Sequence, residues 1–221
     1  MSFYQVLQDK TVDDRSQLMR APIIDICRNK KITKKEYIYF LTQAYHHVKH
    51  TVPLLTACKH HLPKEYEWLK RSLDIYIIEE EGHEIWILDD IEACGGDRKQ
   101  VEHSQGSQNI QAMVDYLYAQ IEQGHPLSLF GMVQVLEGTS VSIACDMARF
   151  IQETLSLPDS AMTYLVSHGN IDQEHLKYFE NLMNKITHHQ DQEEITESAH
   201  QVYQYYSAML YSVHNHNGIN A

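Results

Sequence analysis

Residues 126–158, PLSLFGMVQVLEGTSVSIACDMARFIQETLSLP, form an apolar stretch with a proline at each end. The stretch shows no sustained alternation of apolar and polar residues, so we predict one helix. Glu137 lies within it among apolar helical neighbours: Phe130, Val133, Val141 and Ala144. A carboxylate there needs a cation, a hydrogen-bond cluster or a metal, because burial without a partner is costly. The adjacent Gly138 predicts the close approach of another backbone.

The rest of the chain also reads as helical, with 9 glycines and 5 prolines in 221 residues. Thr33 and Glu36 have the spacing of a capping box, and Pro53 should kink or end the helix that they begin. Residues 63–96 run from a proline suited to a first turn to a glycine pair suited to a C-cap, which predicts a helix. The remaining predicted helices are 3–20, 22–29, 107–126, 159–186 and 191–213.

Seven or eight helices and 43% hydrophobic residues predict an all-α, compact bundle that forms a single domain over residues 1–221. The net charge of −12 argues against binding to nucleic acid or to an anionic membrane surface. No apolar run has the length needed to cross a bilayer, and the first ten residues lack the pattern of a signal peptide. Four dispersed cysteines without a CxxC pair indicate reduced thiols and a cytoplasmic location.

The segment EEEGHE, residues 79–84, places Glu80 three residues before His83. This Glu-x-x-His spacing is used by carboxylate-bridged di-iron bundles. Acidic runs are usually solvated surfaces, but the flanking residues here are largely isoleucine, leucine and tryptophan. The pattern favours a central helix, and a polar patch inside a central helix calls for a functional explanation.

The segment SHGNIDQEH, residues 167–175, places His168, Asp172 and His175 four and then three residues apart. On one helix these side chains span only about 60° of the circumference. Two imidazoles and a carboxylate that converge in this way suit Fe(II), Mn or Zn. A surface cluster is the alternative, and a helix break at Gly169-Asn170 would destroy the alignment.

The three segments together supply three carboxylates and three histidines from separate helices. This is the mixed nitrogen and oxygen set of a non-haem di-iron centre, whereas zinc hydrolases more often use a smaller set. The combination therefore predicts a metal site at Glu80, His83, Glu137, His168, Asp172 and His175.

At these residues the sequence resembles the haem-oxygenase-like helical superfamily, in particular its TenA/PqqC-like proteins and the haem-oxygenase-like di-iron oxidases. The resemblance covers most of the chain through residues 40–55, 79–97, 131–141 and 167–175. It implies that the metal ligands are His83, Glu137, His168, Asp172 and His175. Many members carry a carboxylate seven residues before the first of these histidines, where this chain has Tyr76. Glu80 can replace it, as can His46, His47 or His50, which leaves one iron ion or two open.

The resemblance implies an iron-dependent oxidase or oxygenase that uses Fe(II) and O2 on a small organic substrate. Glu137 would bridge or ligate the metal, and Tyr76 would donate a hydrogen bond or be oxidised itself. It also implies a homodimer, which relatives commonly form, with the aromatic-rich residues 201–213 as candidate contact.

The main alternative is a metal-free TenA-like thiamin-pyrimidine hydrolase or a small-molecule-binding protein, with Glu137 as acid and base. Two TenA features are missing, since the aspartate of its QDY motif is replaced by Ala44, and Cys145 follows Glu137 instead of preceding it. Haem oxygenase fits less well, because residues 3–20 contain no histidine that could ligate haem. A helical interaction module is the third interpretation.

Overall fold

A computed structural model describes residues 1–214, and within that range the chain forms twelve α-helices and no β-strand. The helices are α1 (Phe3–Lys10), α2 (Val12–Leu18), α3 (Pro22–Arg28), α4 (Lys34–Val48), α5 (Thr51–His61), α6 (Glu67–Glu80), α7 (His83–Ala93), α8 (Arg98–His103), α9 (Gln108–Glu122), α10 (Leu129–Leu155), α11 (Thr163–Met183) and α12 (His189–Val213). The all-α bundle predicted from the sequence is confirmed.

The helices outnumber the seven or eight predicted because short turns divide several of the predicted segments. Residues 33–52 contain α4 and the start of α5, and Pro53 lies in the first turn of α5, where its missing N–H is tolerated. The capping box at the start of α4 is present, with Thr33 and Glu36 hydrogen-bonded in both directions. Residues 63–96 are divided in the same way into α6 and α7.

Helix α10 lies at the centre of the bundle and packs most extensively against α11 and α12. Its buried side chains belong to one hydrophobic core that includes residues from Phe3 in α1 to Val213 in α12. The prediction of a single domain over 1–221 stays a prediction, and its last seven residues, 215–221, lie outside the described range. The C-terminal aromatic residues Tyr203 and Tyr206 are buried in this core.

Helix α12 approaches the backbone of α10 closely at Gly131. A Cβ at Gly131 would lie 2.5 Å from the backbone nitrogen of Ala199 and 2.7 Å from Ser198 Oγ in α12. Ser198 Oγ also donates a hydrogen bond of 2.6 Å to the carbonyl of Ser128, which ties the two helices together. The close approach predicted at Gly138 is wrong, because a Cβ there would meet only Gln134 Nε2, at 3.8 Å.

One stretch, Pro126–Leu155, is long and apolar enough by length and composition to cross a membrane, with a mean hydropathy of 1.3 in its most apolar window. The expectation that no apolar run reaches this length is therefore corrected. The fold buries 61% of that window, as expected of the core helix of a soluble protein, so this observation is weak support for a membrane span.

Replacing Gly131 with alanine should lower the free energy of unfolding by about 1–3 kcal/mol, because the new methyl group overlaps the α12 backbone. Chemical denaturation measures this change. The matched control is Gly138→Ala in the same helix, which has room for the methyl group. It should leave stability unchanged or raise it by up to about 1 kcal/mol. Equal effects of the two substitutions would contradict this account of the packing.

Candidate metal site

Six of the predicted site residues form two neighbouring groups of three, and within each group the ligand atoms lie within 4.8 Å of one another. We name these groups subsite A (Glu80, His83 and His168) and subsite B (Glu137, Asp172 and His175). The residues come from α6, α7, α10 and α11. Four helices therefore bring together side chains that lie up to 95 positions apart in sequence.

His83 reaches Glu80 across a break between two helices. Helix α6 ends at Glu80 and α7 begins at His83, with Gly82 between them at a φ of 86°. Glycine adopts this left-handed conformation without the strain that a side chain would impose. The prediction of one helix over residues 63–96 is therefore wrong, yet the turn still brings His83 Nδ1 to 3.1 Å from Glu80 Oε2.

Helix α11 passes through Gly169 and Asn170 without interruption. A Cβ at Gly169 would lie 2.4 Å from the sulfur and 3.1 Å from the backbone nitrogen of Cys145 in α10. Gly169 therefore permits the close contact between the two helices instead of ending one of them. The unbroken helix keeps three ligand candidates on one side: His168, Asp172 and His175.

Asp90 of α7 caps the start of α11. Its carboxylate accepts hydrogen bonds from the backbone nitrogens of Thr163 (3.0 Å) and Tyr164 (2.8 Å). These donors have no partner within the helix, and a carboxylate also interacts favourably with the helix dipole. Asp90 thus fixes α11 against the helix that carries His83. Burial raises the pKa of Asp90 to about 6, although the backbone hydrogen bonds oppose this shift.

A hydrogen bond to the backbone determines which ring nitrogen of His168 faces the other residues of subsite A. His168 Nδ1 lies 3.0 Å from the carbonyl oxygen of Tyr164, which can only accept, so this nitrogen carries the proton. The lone pair of His168 Nε2 then points toward His83 Nδ1, at 3.2 Å. Ligands about 2.0–2.2 Å from one metal ion are separated by about 3 Å when they are adjacent, so this spacing suits a shared ion.

In subsite A, burial and the neighbouring charges shift the pKa values of the side chains in opposite directions. Burial lowers the pKa of His168, which keeps the imidazole neutral and able to ligate. Burial alone would raise the pKa of Glu80, but the hydrogen bond and charge of His83, followed by His168 and His175, lower it below the usual value. Subsite A therefore offers an ionised carboxylate beside a nitrogen lone pair.

In subsite B, His175 Nδ1 faces two carboxylates but is not hydrogen-bonded to either. It lies 3.6 Å from Glu137 Oε1 and 3.6 Å from Asp172 Oδ1, beyond ordinary hydrogen-bond length. Burial raises the pKa of Glu137 to about 8. Although burial opposes a charge on His175, Asp172 and Glu137 raise the pKa of this histidine to about 10. Both shifts favour the protonated side chains, so added positive charge is stabilised in subsite B.

Three buried polar atoms around subsite B have no hydrogen-bond partner within residues 1–214. They are Glu137 Oε2, His175 Nδ1 and the hydroxyl oxygen of Tyr76. Buried polar atoms in folded proteins almost always have a partner, so three together call for an explanation. A divalent cation satisfies the carboxylate and the imidazole at once and offsets the clustered negative charge. The residues present therefore fit a metal ion.

Tyr76 lies beside subsite B, at the position where the resemblance implied a carboxylate. Its ring centroid is 5.6 Å from that of His175, and its hydroxyl group is buried. Burial, followed by the charge of Glu137, raises its pKa well above the usual value. Tyr76 therefore keeps its proton, and its unpartnered hydroxyl is able to donate a hydrogen bond to a molecule bound beside subsite B.

Of the histidines considered for the vacant ligand position, His47 lies near the subsites but belongs to neither group. Its ring is buried, its Nε2 has no hydrogen-bond partner in the described part of the chain, and burial lowers its pKa to about 3. His46 instead bonds to Ser104, and His50 bonds to Tyr118. Glu80 is therefore the residue that completes subsite A, while a role for His47 as a ligand stays a prediction.

Glu79 is a site residue that sequence reasoning did not select. Its Oε2 lies 3.1 Å from Nε2 of His175, on a different helix. Glu79 and Glu80 follow Tyr76 by three and four residues, so each of them neighbours Tyr76 on the surface of α6. This spacing is the signal that was available, but the contact with α11 depends on the tertiary fold.

A cavity of about 1210 Å³, counted out to its open mouth, adjoins both subsites. Glu80, Glu137, His168 and Asp172 form part of its wall, and no lysine or arginine of the described chain lines it. Lining residues on α10 run from Met132 to Ile151, a helix length of about 28 Å. Most of the remaining wall is apolar, including Ile23, Ile24, Leu136, Ile143 and Met147.

A model of the protein family described as "Iron-containing redox enzyme" matches residues 38–207. This range is about three quarters of the chain and contains every residue of subsites A and B. No curated protein matches the chain with significant sequence similarity.

Solved structures with the same fold cover nearly the whole chain. A domain of unknown function with a heme oxygenase-like fold from Shewanella denitrificans has a TM-score of 0.84 at 23% identity, over 97% of this chain and 93% of that chain. A TenA homolog from Pseudomonas syringae has a TM-score of 0.75 at 12% identity, over 96% and 93%. Heme oxygenase-1 from the cyanobacterium Synechocystis, in complex with heme, has a TM-score of 0.74 at 13% identity, over 97% and 93%. These likenesses show the fold.

The stability of the protein should depend on pH through Asp90. Its pKa is about 6 in the folded protein against the ordinary aspartate value of 3.8, so the folded state binds more protons between these values. The contribution is fully present below 3.8 and is lost as the pH rises through about 6, by about 3 kcal/mol in total. Asp90→Asn does not titrate, so it should destabilise the protein more at pH 4 than at pH 7.

Urea unfolding of the wild type and of Asp90→Asn at the two pH values measures this difference. Asp146→Asn is the matched control, because Asp146 is exposed and pairs with Arg149 at the surface of α10. The Asp146 variant should show a similar change in stability at both pH values. An equal effect of Asp90→Asn at pH 4 and pH 7 would rule out the shifted pKa.

Proposed function

Because the chain belongs to the family of iron-containing redox enzymes, we propose that it is a non-haem iron oxidase or oxygenase with Fe(II) in subsites A and B. The observation that carries this proposal is the pair of adjacent three-residue groups, each with its ligand atoms within 4.8 Å. Each group combines imidazole nitrogen with carboxylate oxygen, a donor set that suits Fe(II). The proposal includes one ion in each subsite and O2 as co-substrate.

The charge of the two subsites supports two ions over one. Glu80, Glu137 and Asp172 place three carboxylates in a largely buried region, where unpaired negative charge is costly. One divalent ion in subsite A would leave Glu137 and His175 of subsite B with their unpartnered atoms. A second ion removes that cost.

Bound iron would supply the binding and reduction of O2, which amino-acid side chains do not provide. The protein's own groups orient the metal ligands and hold the protons near them. His168 directs its Nε2 lone pair into subsite A, because its Nδ1–H is held by the carbonyl of Tyr164. Tyr76 keeps its hydroxyl proton, which has no partner in the described chain and would be donated to a molecule bound at the edge of subsite B. The apolar wall of the cavity excludes water from the substrate.

The cavity supports an elongated and largely apolar organic substrate. Its lining runs along α10 from Met132 past Glu137 to Ile151, so an elongated molecule bound along α10 would lie against the subsites. The lining contains no lysine or arginine among the described residues, so an anionic group on the substrate would have to be neutralised at the metal subsites. Neutral and cationic groups face no such requirement, because carboxylates line the inner wall.

The hydrolase alternative requires an activated nucleophile, and neither nearby cysteine has the properties of one. Cys145 is exposed and is not part of the cavity wall. Cys27 does line the cavity, but burial raises its pKa to about 12, so it stays a protonated thiol at neutral pH. These properties favour the metal-dependent proposal.

Protein incubated anaerobically with Fe(II) and then desalted should retain about two iron ions per chain, because each subsite provides three ligands. Bound iron should raise the melting temperature, since the ligands converge only in the folded state. Exposure to O2 should produce a new absorbance. Metal analysis, thermal denaturation and absorption spectroscopy measure the three effects.

Replacing His168 with alanine removes a ligand of subsite A and should abolish tight binding of at least one ion. His189→Ala is the matched control, because His189 is exposed at the start of α12, away from the site. It should retain iron as the wild type does. Wild-type protein without bound iron, or a His168 variant that binds as much iron as the wild type, would contradict the proposal.

A further inference from the structure

Both ring nitrogens of His175 face carboxylates, but only the carboxylates at Nδ1 belong to subsite B. Its Nδ1 faces Glu137 and Asp172, while its Nε2 lies 3.1 Å from Glu79 Oε2. We propose that Glu79 is a positioning residue that orients His175 for the metal in subsite B. The inference rests on the proposed function and assigns a role to a residue outside both three-residue groups.

The argument begins with the geometry of imidazole. Its two nitrogens point away from each other, so a residue that bonds to Nε2 cannot share the metal bound at Nδ1. Glu79 Oε2 forms an ion pair with Nε2 at 3.1 Å, closer than the 3.6 Å that separates Nδ1 from Glu137 and from Asp172. An ionised carboxylate only accepts, so Nε2 keeps its proton in this contact. A metal that displaces the other proton of His175 therefore binds at Nδ1, on the side of Glu137 and Asp172.

Glu79 does not belong to subsite B, and its side chain lies closer to solvent than those of the subsite. The side chain of Glu79 is 47% exposed, whereas those of His175 and Glu137 are 8% and 12% exposed. Glu79 therefore lies on the solvent side of the His175 ring and the metal ligands lie on the inner side. Any effect of Glu79 on the metal in subsite B passes through His175.

The two subsites orient their histidines by different means. In subsite A the acceptor for His168 is the backbone carbonyl of Tyr164, in the same helix. In subsite B the outer partner of His175 is the carboxylate of Glu79 on α6, which forms an ion pair with Nε2 at 3.1 Å. Removal of such an outer carboxylate commonly lowers metal affinity by about 10- to 100-fold. The loss should be confined to one of the two ions.

The experiment uses Co(II), whose absorption bands report its ligands and which is titrated calorimetrically into the full chain. The wild type should bind two ions. Glu79→Gln should weaken one of the two by about 10- to 100-fold and alter its spectrum, while the other ion binds as before. Glu81→Gln is the matched control, because Glu81 is an exposed carboxylate two residues later that lies in neither group. It should bind both ions as the wild type does.

A double variant tests whether Glu79 acts through His175. If it does, Glu79→Gln should cause no further loss of Co(II) affinity in a His175→Ala background. The metal-free melting temperature of Glu79→Gln should equal that of the wild type, since a purely structural role would lower it. Further loss of affinity in the double variant, or a lower melting temperature of the metal-free protein, would overturn the inference.

The possible failures are distinct. Two ions bound by the wild type and bound equally well by Glu79→Gln would overturn the positioning role alone. No Co(II) bound by the wild type would overturn both this inference and the proposed function.

Discussion

The structure depends on the burial of carboxylates and imidazoles together at the centre of an apolar helix bundle. Glu137 shows that this burial disfavours a charged side chain. Its pKa is raised to about 8 on a helix whose other inward side chains are largely apolar. The pKa of its neighbour His175 is also raised, to about 10, by Asp172 and Glu137, which favours the charged form of the histidine whereas burial favours the neutral form of Glu137. A protein does not normally retain such a cluster without a function, since apolar residues of similar size would pack at lower cost.

The bundle holds this cluster through contacts outside the cluster itself. Gly169 lets α11 approach α10 closely enough for ligands from both helices to meet. Asp90 caps α11 from α7, which fixes the distance between His83 and His168. Gly82 turns the chain between α6 and α7, so that residues from both helices face the same point. The cavity beside these contacts gives a substrate access to the cluster without exposing it fully to water.

The parts of the site that depend on local geometry were predictable from the sequence. His168 and His175 share a side of α11 because their spacing follows the helical period, and the structure preserves that alignment. The contact between Glu80 and His83 was predicted for the wrong reason, because a left-handed glycine joins two helices there. Glu79 was missed because its partner lies 96 positions away, and no local pattern encodes that contact. The all-α class followed from composition and periodicity, whereas the number of helices depended on short turns.

Anomalous X-ray diffraction at the iron absorption edge, from crystals grown anaerobically with Fe(II), tests the central claim most directly. The account predicts two anomalous peaks in each chain. One should lie among the ligand atoms of subsite A, and the other among those of subsite B. Iron located elsewhere in the chain, with both subsites lacking a peak, would contradict the claim that this buried cluster is a metal centre.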